Sequence, residues 1–239
     1  MTKTVLSIII AATAAFAACS PSKDDLRSSI FRVENERGNG WGTAFAVTYG
    51  DKNFLVTNAH VCDISDNDKM YADVGGGRVE VPIIAKSKSH DLCLIGAFSG
   101  VEPLEISERN ELESGEEVYT AGFPAMPYMY MASGEYQGVL DLPMGEPLTT
   151  PEECTSKGGT VATAIFFQVC VTVKPFIMTH MISDGGSSGS PIFDQNGEVV
   201  GVLSIGVGRI GFIGGVPVEY LKELLKEAYL KDEGIRALK

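Results

Sequence analysis

Residues 183–193 read Ser-Asp-Gly-Gly-Ser-Ser-Gly-Ser-Pro-Ile-Phe, a run of small side chains that ends in a short apolar strand pattern. Glycine has no Cβ, so the backbone of such a run can approach another group closely. Gly186 and Gly189 flank Ser188, which predicts a hydroxyl presented beside inward-facing N–H groups. The alternative interpretation is an ordinary surface turn of serine and glycine.

A serine hydroxyl becomes a nucleophile near neutral pH when an imidazole lies beside it and a carboxylate orients that imidazole. His60 ends the sequence Phe-Leu-Val-Thr-Asn-Ala-His, where a strand-like run precedes it. Asp91 comes directly before the apolar run Leu-Cys-Leu-Ile, where a carboxylate is costly to bury without a hydrogen-bond donor. Ser188, His60 and Asp91 are therefore candidates for one catalytic group. His90 and His180 are interpreted as a surface neighbour and a core or loop residue.

Three segments resemble, in chain order, the histidine, aspartate and serine motifs of the trypsin/chymotrypsin family of serine endopeptidases. They are Thr-Asn-Ala-His at 57–60, His-Asp-Leu-Cys-Leu at 90–94 and Gly-Ser-Ser-Gly-Ser-Pro at 186–191. The order His, Asp, Ser differs from the orders in subtilisins and α/β-hydrolases. Gly-Thr-Ala-Phe at 42–45 and Ala-Gly-Phe-Pro at 121–124 extend the resemblance, which covers residues 30 to 232.

The resemblance implies an all-β fold of two six-stranded antiparallel β-barrels, trypsin-like, with a C-terminal α-helix. A turn signal at 49–52 between two β-rich runs independently predicts a hairpin before His60. Apolar residues at helical spacing from Leu221 to Ala228 predict the final helix. The predicted segments are a signal peptide at 1–18, a tether at 19–29, the first barrel at 30–112, the second at 113–217 and the helix at 218–232.

The function implied by the resemblance is that of a serine endopeptidase acting on proteins or peptides, without cofactor or metal. His60 would remove the proton of Ser188, Asp91 would orient the ring, and the N–H groups of Gly186 and Ser188 would form the oxyanion hole of an acyl-enzyme mechanism. One alternative is a catalytically silent binding module, because fold does not guarantee activity. An esterase is the other alternative.

The family sets substrate preference around a pocket, and the resemblance places Ile182, Ser204, Gly206 and Gly211 there. Ile182 holds the floor position, so a preference for Arg or Lys is not expected. Ser187 stands where some relatives carry the aspartate of a zymogen switch, so no such switch is expected here.

Two patterns typical of other ligands do not fit. Asp63, Asp66 and Asp68 lack the spacing and the glycine of a calcium-binding loop, which favours a solvated loop. The three glycines at 75–77 have no following lysine or helix signal and predict a hairpin turn between two β-rich runs rather than a phosphate loop.

The cysteines are expected to form disulfides. Cys62 and Cys93 each lie two residues beyond a predicted catalytic residue, so a fold that joins His60 to Asp91 also brings these thiols together. Cys154 and Cys170 then remain as a second pair, whereas buried free thiols are the alternative. A bridge between Cys62 and Cys93 would contribute about 3 to 4 kcal/mol in the chain-entropy model.

The first 18 residues carry one lysine and a short apolar run, which predicts an export signal rather than a membrane span. Phe-Ala-Ala-Cys at 16–19 resembles the bacterial lipoprotein signal and implies lipidation of Cys19. The implied location is the periplasmic face of the outer membrane, anchored by that lipid; a soluble periplasmic or secreted protein is the alternative. A formal net charge of −12 argues against nucleic acid as a partner.

Overall fold

The computed structural model describes residues 26–109, 112–125, 127–147, 150–164, 167–181, 183–207 and 211–237. Within these residues the chain is built mainly of antiparallel strands. The first half contains β1 (Ile30–Glu34), β2 (Trp41–Tyr49), β3 (Lys52–Thr57), α1 (Ala59–Cys62), β4 (Lys69–Val74), β5 (Gly77–Ser87) and β6 (Leu92–Gly96). The second half contains β7 (Glu117–Gly122), β8 (Tyr130–Pro147), α2 (Pro151–Ser156), β9 (Thr160–Ala164), β10 (Phe167–His180), β11 (Pro191–Phe193), β12 (Val199–Val207), β13 (Phe212–Pro217) and α3 (Val218–Ala237).

Six strands of the first half close into a barrel in the order β1-β2-β3-β6-β5-β4. Successive side chains of a strand point to opposite faces, and β2 follows this rule. Its Phe45 and Val47 join the core shared with the second half, whereas Ala44 and Ala46 pack with the barrel's own interior. Strands that are buried on both faces explain the continuous apolar runs in the sequence.

The second half forms a ring of strands in the order β7-β8-β10-β13-β12-β11. The pairing of Ile177 with Gly215 joins β10 to β13, and the pairing of Ile192 with Thr120 joins β11 to β7. Strand β9 pairs with the outer edge of β10 and was not anticipated. The predicted two-barrel fold with a C-terminal helix is confirmed.

The strands β8 and β10 continue beyond the barrel as a long ladder. Their pairing runs from His180 with Glu135 to Val169 with Pro147. We call residues 139–147, 150–164 and 167–175 the arm; they include α2 and β9. Val139 and Val173 on the arm expose 50% and 64% of their surface, so the arm stands away from the core.

One apolar core joins the two barrels and the C-terminal helix. It contains Phe45 and Leu94 of the first barrel, Phe193 and Val216 of the second, and Leu225 of α3. The helix ends at Ala237 rather than at the predicted residue 232. A shared core fixes the barrels relative to each other, and with them the residues at the cleft between them.

The prediction of a tether through residue 29 is wrong at its end. Leu26 is 2% exposed and Ser29 is 3% exposed, and the carbonyl of Ser29 accepts from the N–H of Ala46 at 2.8 Å. The carbonyl of Ser28 also accepts from the N–H of Glu102 at 2.9 Å, so this turn is held on the folded domain. The predicted signal peptide at 1–18, Cys19 and the rest of the predicted tether lie outside the described residues. No helix within the described residues is long and apolar enough to cross a membrane.

Candidate active site

His60 and Asp91 lie at one end of the first barrel because their strands are neighbours. Thr57 at the end of β3 pairs with Cys93 near the start of β6. His60 follows β3 in the short helix α1, and Asp91 precedes β6 with a φ of 53°, a left-handed conformation that aspartate tolerates better than most residues. The pairing of two strands therefore brings together residues 31 positions apart.

The ring of His60 is held by the carboxylate of Asp91. Nδ1 of His60 lies 3.0 Å from Oδ1 and 2.9 Å from Oδ2 of Asp91, and the backbone N–H of His60 also donates to Oδ1 at 3.0 Å. These bonds direct the other ring nitrogen away from the carboxylate. The His60 side chain is 50% exposed, and its second ring nitrogen, Nε2, has no hydrogen-bond partner among the described residues.

Ser204 of the second barrel completes the surroundings of this carboxylate. Its hydroxyl donates to Oδ2 of Asp91 at 2.5 Å. Burial by itself raises the pKa of Asp91, but the bonds from His60 and Ser204 outweigh burial and leave the pKa below its ordinary value. Asp91 is therefore held in its charged form. The resemblance placed Ser204 near the substrate pocket. No local sequence pattern predicted its hydrogen bond to Asp91, which lies 113 residues away in the chain.

The loop that carries Ser188 is pressed against the first barrel. The carbonyl of Ser188 accepts from the N–H of Thr43 at 2.8 Å, and the N–H of Gly189 donates to the carbonyl of Leu203 at 2.8 Å. The loop also passes close to the end of β3. A Cβ built on Gly189, whose φ is 87°, would lie 2.3 Å from Oγ1 of Thr57, three residues before His60. Ser188 is thus brought to the same end of the barrel as His60. No hydrogen bond joins the two side chains, and such bonds are often long in enzymes without substrate.

The backbone before Ser188 is held by two contacts that leave its N–H groups available. The carbonyl of Gly185 accepts from the N–H of Ala125 at 2.7 Å. In a trans peptide the C=O and N–H point in opposite directions, so this bond turns the N–H of Gly186 the other way. Neither this N–H nor that of Ser188 has an acceptor among the residues that the structure describes.

Thr43 is the second contact, and sequence reasoning gave it no role. Its Oγ1 donates to the carbonyl of Gly186 at 2.9 Å and accepts from the N–H of Phe123 at 3.0 Å. A Cβ on Gly186 would lie 2.4 Å from Nε1 of Trp41, so a side chain there has no room. The motif Gly-Thr-Ala-Phe marked this strand, but only the folded chain shows which atoms it holds.

The residues predicted to surround a substrate pocket are found in different settings. Ile182 lies outside the described residues. Gly206 is exposed and has open space around it. Gly211 has a φ of 72°, and a Cβ built on it would lie 3.4 Å from Nε2 of His180. The ring of His180 lies against Phe212, with 5.0 Å between centroids. These contacts alone assign no substrate.

Both predicted disulfides are present, Cys62 with Cys93 and Cys154 with Cys170. The first joins α1, which carries His60, to the strand that follows Asp91. The second ties α2 to β10 within the arm. Two disulfides fit an exported protein in an oxidising compartment.

The described part of the chain contains no group of three or more His, Cys, Asp or Glu side chains arranged for a metal ion. Asp63, one of the aspartates considered for calcium, instead pairs with Lys86 at 2.9 Å. Gly75 and Gly76 form the turn between β4 and β5, and Gly77 begins β5.

The comparisons with known proteins agree with this geometry. The sequence pattern of the trypsin-like peptidase domain matches residues 42–202, and the chain belongs to that family. The family predicted from the three motifs is confirmed.

Individual relatives are distant in sequence. The chain is 23% identical over 206 residues to "Serine protease HtrA-like" of Staphylococcus epidermidis, covering 81% of this chain and 31% of that protein. It is 25% identical over 199 residues to "Probable periplasmic serine endoprotease DegP-like" of Hahella chejuensis, covering 81% of this chain and 36% of that one. The chain thus spans about a third of the length of these curated relatives.

Among solved structures, the active form of the Rv3671c protease from M. tuberculosis is similar with a TM-score of 0.66 and 16% identity. The alignment covers 93% of each chain. At this identity the similarity establishes the fold alone.

Proposed function

We propose that this chain is a serine endopeptidase in which Ser188 is the nucleophile, His60 the general base and Asp91 the residue that orients it. The observation that carries the proposal is the His60–Asp91 pair, in which Asp91 holds Nδ1 of His60, together with the contacts that bring the glycine-flanked Ser188 loop to the same end of the first barrel. Family membership supports this assignment.

The proposed reaction begins with transfer of the Ser188 proton to His60 as the oxygen attacks a peptide carbonyl. Asp91 is charged and stabilises the imidazolium that forms. The N–H groups of Gly186 and Ser188 donate to the oxygen on which negative charge develops. His60 then gives its proton to the leaving amine, and water hydrolyses the acyl-enzyme by the same steps.

A peptide substrate has a strand edge to bind. β12 pairs with β13 through Val207, but its pairing with β11 ends at Val202. The opposite edge of residues 204–206 can therefore accept an extended peptide as an added strand. With Ser204, Gly206 and Gly211 proposed around the pocket and Ile182 at its floor, a preference for Arg or Lys next to the cleaved bond is not expected.

Hydrolysis of an unfolded protein, followed by the appearance of new α-amino groups, tests the proposal. The wild-type chain should cleave it, and Ser188→Ala should not. Cleavage of small esters but not of peptides would instead indicate an esterase, and tight peptide binding without hydrolysis would indicate a silent binding module.

We further propose that the chain is exported and anchored in the outer membrane by a lipid on Cys19. The two disulfides support export, and the buried Leu26 would place the barrel seven residues from the anchor. Mass spectrometry of the mature N-terminus should find an acylated Cys19. Cys19→Ala should release the protein from membranes; an unmodified N-terminus in the membrane fraction would refute the anchor.

A further inference from the structure

The turn that carries Asp91 contacts the C-terminal helix α3. Residues 88–91 form this turn between β5 and β6. The imidazole of His90 lies against the ring of Tyr220 in α3, with 4.0 Å between the centroids and 17° between the planes. His90, interpreted from the sequence as a surface neighbour of Asp91, is therefore also the point at which α3 touches the turn.

Both rings of this stack are attached to ordered surroundings. Leu221, the next residue after Tyr220, is 0% exposed and belongs to the core shared by the two barrels. The backbone that carries Tyr220 is therefore fixed. On the other side of the stack, Nδ1 of His90 lies 3.4 Å from Oγ of Ser87 and of Ser89. The stack thus connects the packed helix to the turn.

The ring of His90 is uncharged near neutral pH. Burial has the largest influence on its pKa and lowers it, while Glu223 of α3 raises it and Lys174 of the arm lowers it. Lys174 also contacts the start of the turn, where its Nζ donates to the carbonyl of Lys88 at 3.2 Å. An uncharged imidazole can stack on Tyr220 as one aromatic ring on another.

Asp91 depends on its neighbours because its backbone is left-handed. Its φ of 53° is unfavourable for a residue with a Cβ, so the surroundings must maintain it. The carbonyl of Asp91 accepts from Nδ2 of Asn58, a residue that is 0% exposed, at 3.0 Å. That bond holds the backbone after the Asp91 side chain, and the stack of His90 on Tyr220 holds the backbone before it.

We propose that Tyr220 is a positioning residue for Asp91: by stacking on His90 it holds the turn so that the carboxylate meets Nδ1 of His60. This proposal rests on the proposed function, in which that carboxylate orients His60. Tyr220 itself touches neither His60 nor Asp91 through a hydrogen bond in the described structure. Loss of the stack should therefore slow proton transfer and leave peptide binding intact.

Steady-state kinetics test the stack directly. Tyr220→Ala removes it, and we expect kcat to fall about tenfold with KM unchanged. Tyr220→Phe keeps the ring and should retain kcat, and an equal loss in this variant would overturn the proposal. His90→Ala should match Tyr220→Ala, and the double variant should be no slower than either single one, because all three lack the same contact. Losses that multiply in the double variant would also overturn it.

Tyr229→Ala is the matched control. Tyr229 also lies on α3 and contacts an aromatic ring of the first barrel, that of Tyr49, with 5.6 Å between the centroids. Its removal should destabilise the fold in a similar way, because a contact of the same kind is lost, but kcat should not change. A comparable loss of kcat in Tyr229→Ala would mean that any loosening of α3 slows the reaction, which would overturn the specific role of Tyr220.

The tautomer of His60 provides a second measurement, which does not depend on hydrolysis. In ¹H–¹⁵N spectra of histidine-labelled protein above about pH 8, the neutral His60 ring should carry its proton on Nδ1, where Asp91 accepts it. Tyr220→Ala should lower the fraction in this form at least about threefold, whereas Tyr229→Ala should not change it. The chain has three histidines, and the spectrum of His60→Gln assigns the signal.

The two measurements separate this proposal from the proposed function. A tautomer change in a chain that hydrolyses no peptide would support the positioning role and refute the endopeptidase. Unchanged kcat and tautomer in Tyr220→Ala, in a chain that does hydrolyse peptides, would refute the positioning role alone. A lower kcat with an unchanged tautomer would place the effect outside the His60–Asp91 pair and would refute it as well. If Tyr220→Ala does not fold, His90→Ala provides the same comparison.

Discussion

The two barrels contribute to the candidate site in different ways. The first barrel presents a bonded side-chain pair, His60 and Asp91, with 2.9 Å between Nδ1 and Oδ2. The second barrel presents the Ser188 loop, whose peptide groups are oriented by contacts with Thr43 and Ala125. Changes at His60 or Asp91 should therefore impair proton transfer, and changes that disturb the loop should impair stabilisation of negative charge.

The largest expected effect on kcat comes from a substitution in the second barrel. Ser188→Ala removes the proposed nucleophile and should lower kcat by on the order of 10⁶. Ser190→Ala is the matched control, because the Ser190 hydroxyl is buried without a hydrogen-bond partner in the described structure and its loss should be nearly neutral. Steady-state hydrolysis of one peptide by both variants measures this difference. Substantial activity in Ser188→Ala would move the nucleophile elsewhere.

The second-largest effect on kcat is expected from a substitution in the first barrel. Asp91→Asn keeps the size of the side chain but removes the charge that stabilises the protonated ring, and kcat should fall by about 10⁴. Labelling of folded protein by hydrogen exchange can show that the barrel is intact. A loss of less than tenfold in intact protein would mean that His60 does not depend on this carboxylate.

A smaller effect is expected from the contact between the barrels. Thr43→Val removes a hydroxyl that donates to the carbonyl of Gly186 and accepts from Phe123, so the loop between the two proposed anion-binding N–H groups loses a contact that holds it. We expect kcat to fall by about 10² with little change in KM. Thr43→Ser restores both hydrogen bonds and should rescue kcat. An equal loss in the serine variant would indicate a packing role instead.

The smallest expected effect comes from Ser204→Ala, which should lower kcat about tenfold because Asp91 loses one of its donors.

The depressed pKa of Asp91 means that the folded protein binds a proton on this carboxylate less readily than the unfolded chain does. Its contribution to stability is present above the unfolded-state pKa and is lost as pH falls through the folded-state pKa. Removing the Ser204 hydroxyl raises the pKa of Asp91 in the folded state, so the contribution should be smaller at neutral pH and its loss should be complete at a higher pH.

Urea unfolding of the wild-type and Ser204→Ala proteins from about pH 7 to about pH 3 measures that displacement. Identical pH dependence in the two proteins would show that the Ser204 hydroxyl does not support the Asp91 charge. The Ser190→Ala variant again serves as the control for loss of a buried hydroxyl.

The contrast between the barrels also explains what the sequence could predict. His60 and Asp91 sit beside apolar runs that become paired strands, so short motifs were sufficient to identify them, and with them the bond between Cys62 and Cys93. Ser204, Thr43 and Ala125 act through hydrogen bonds to residues distant in the chain. The resemblance marked Ser204 and the segment that contains Thr43, but no local pattern showed which atoms these residues bind. The arm was missed because its length depends on strand pairing beyond the barrel, and Leu26 because one buried side chain is a weak signal.

The central claim is that His60 activates Ser188. Its most direct test is the rate at which a fluorophosphonate labels the folded protein, with the modified residue identified by mass spectrometry, in wild type and His60→Ala. The account predicts a single adduct on Ser188 that forms at least 10³-fold faster in wild type. Equal rates in the two proteins, or an adduct on another serine, would contradict it.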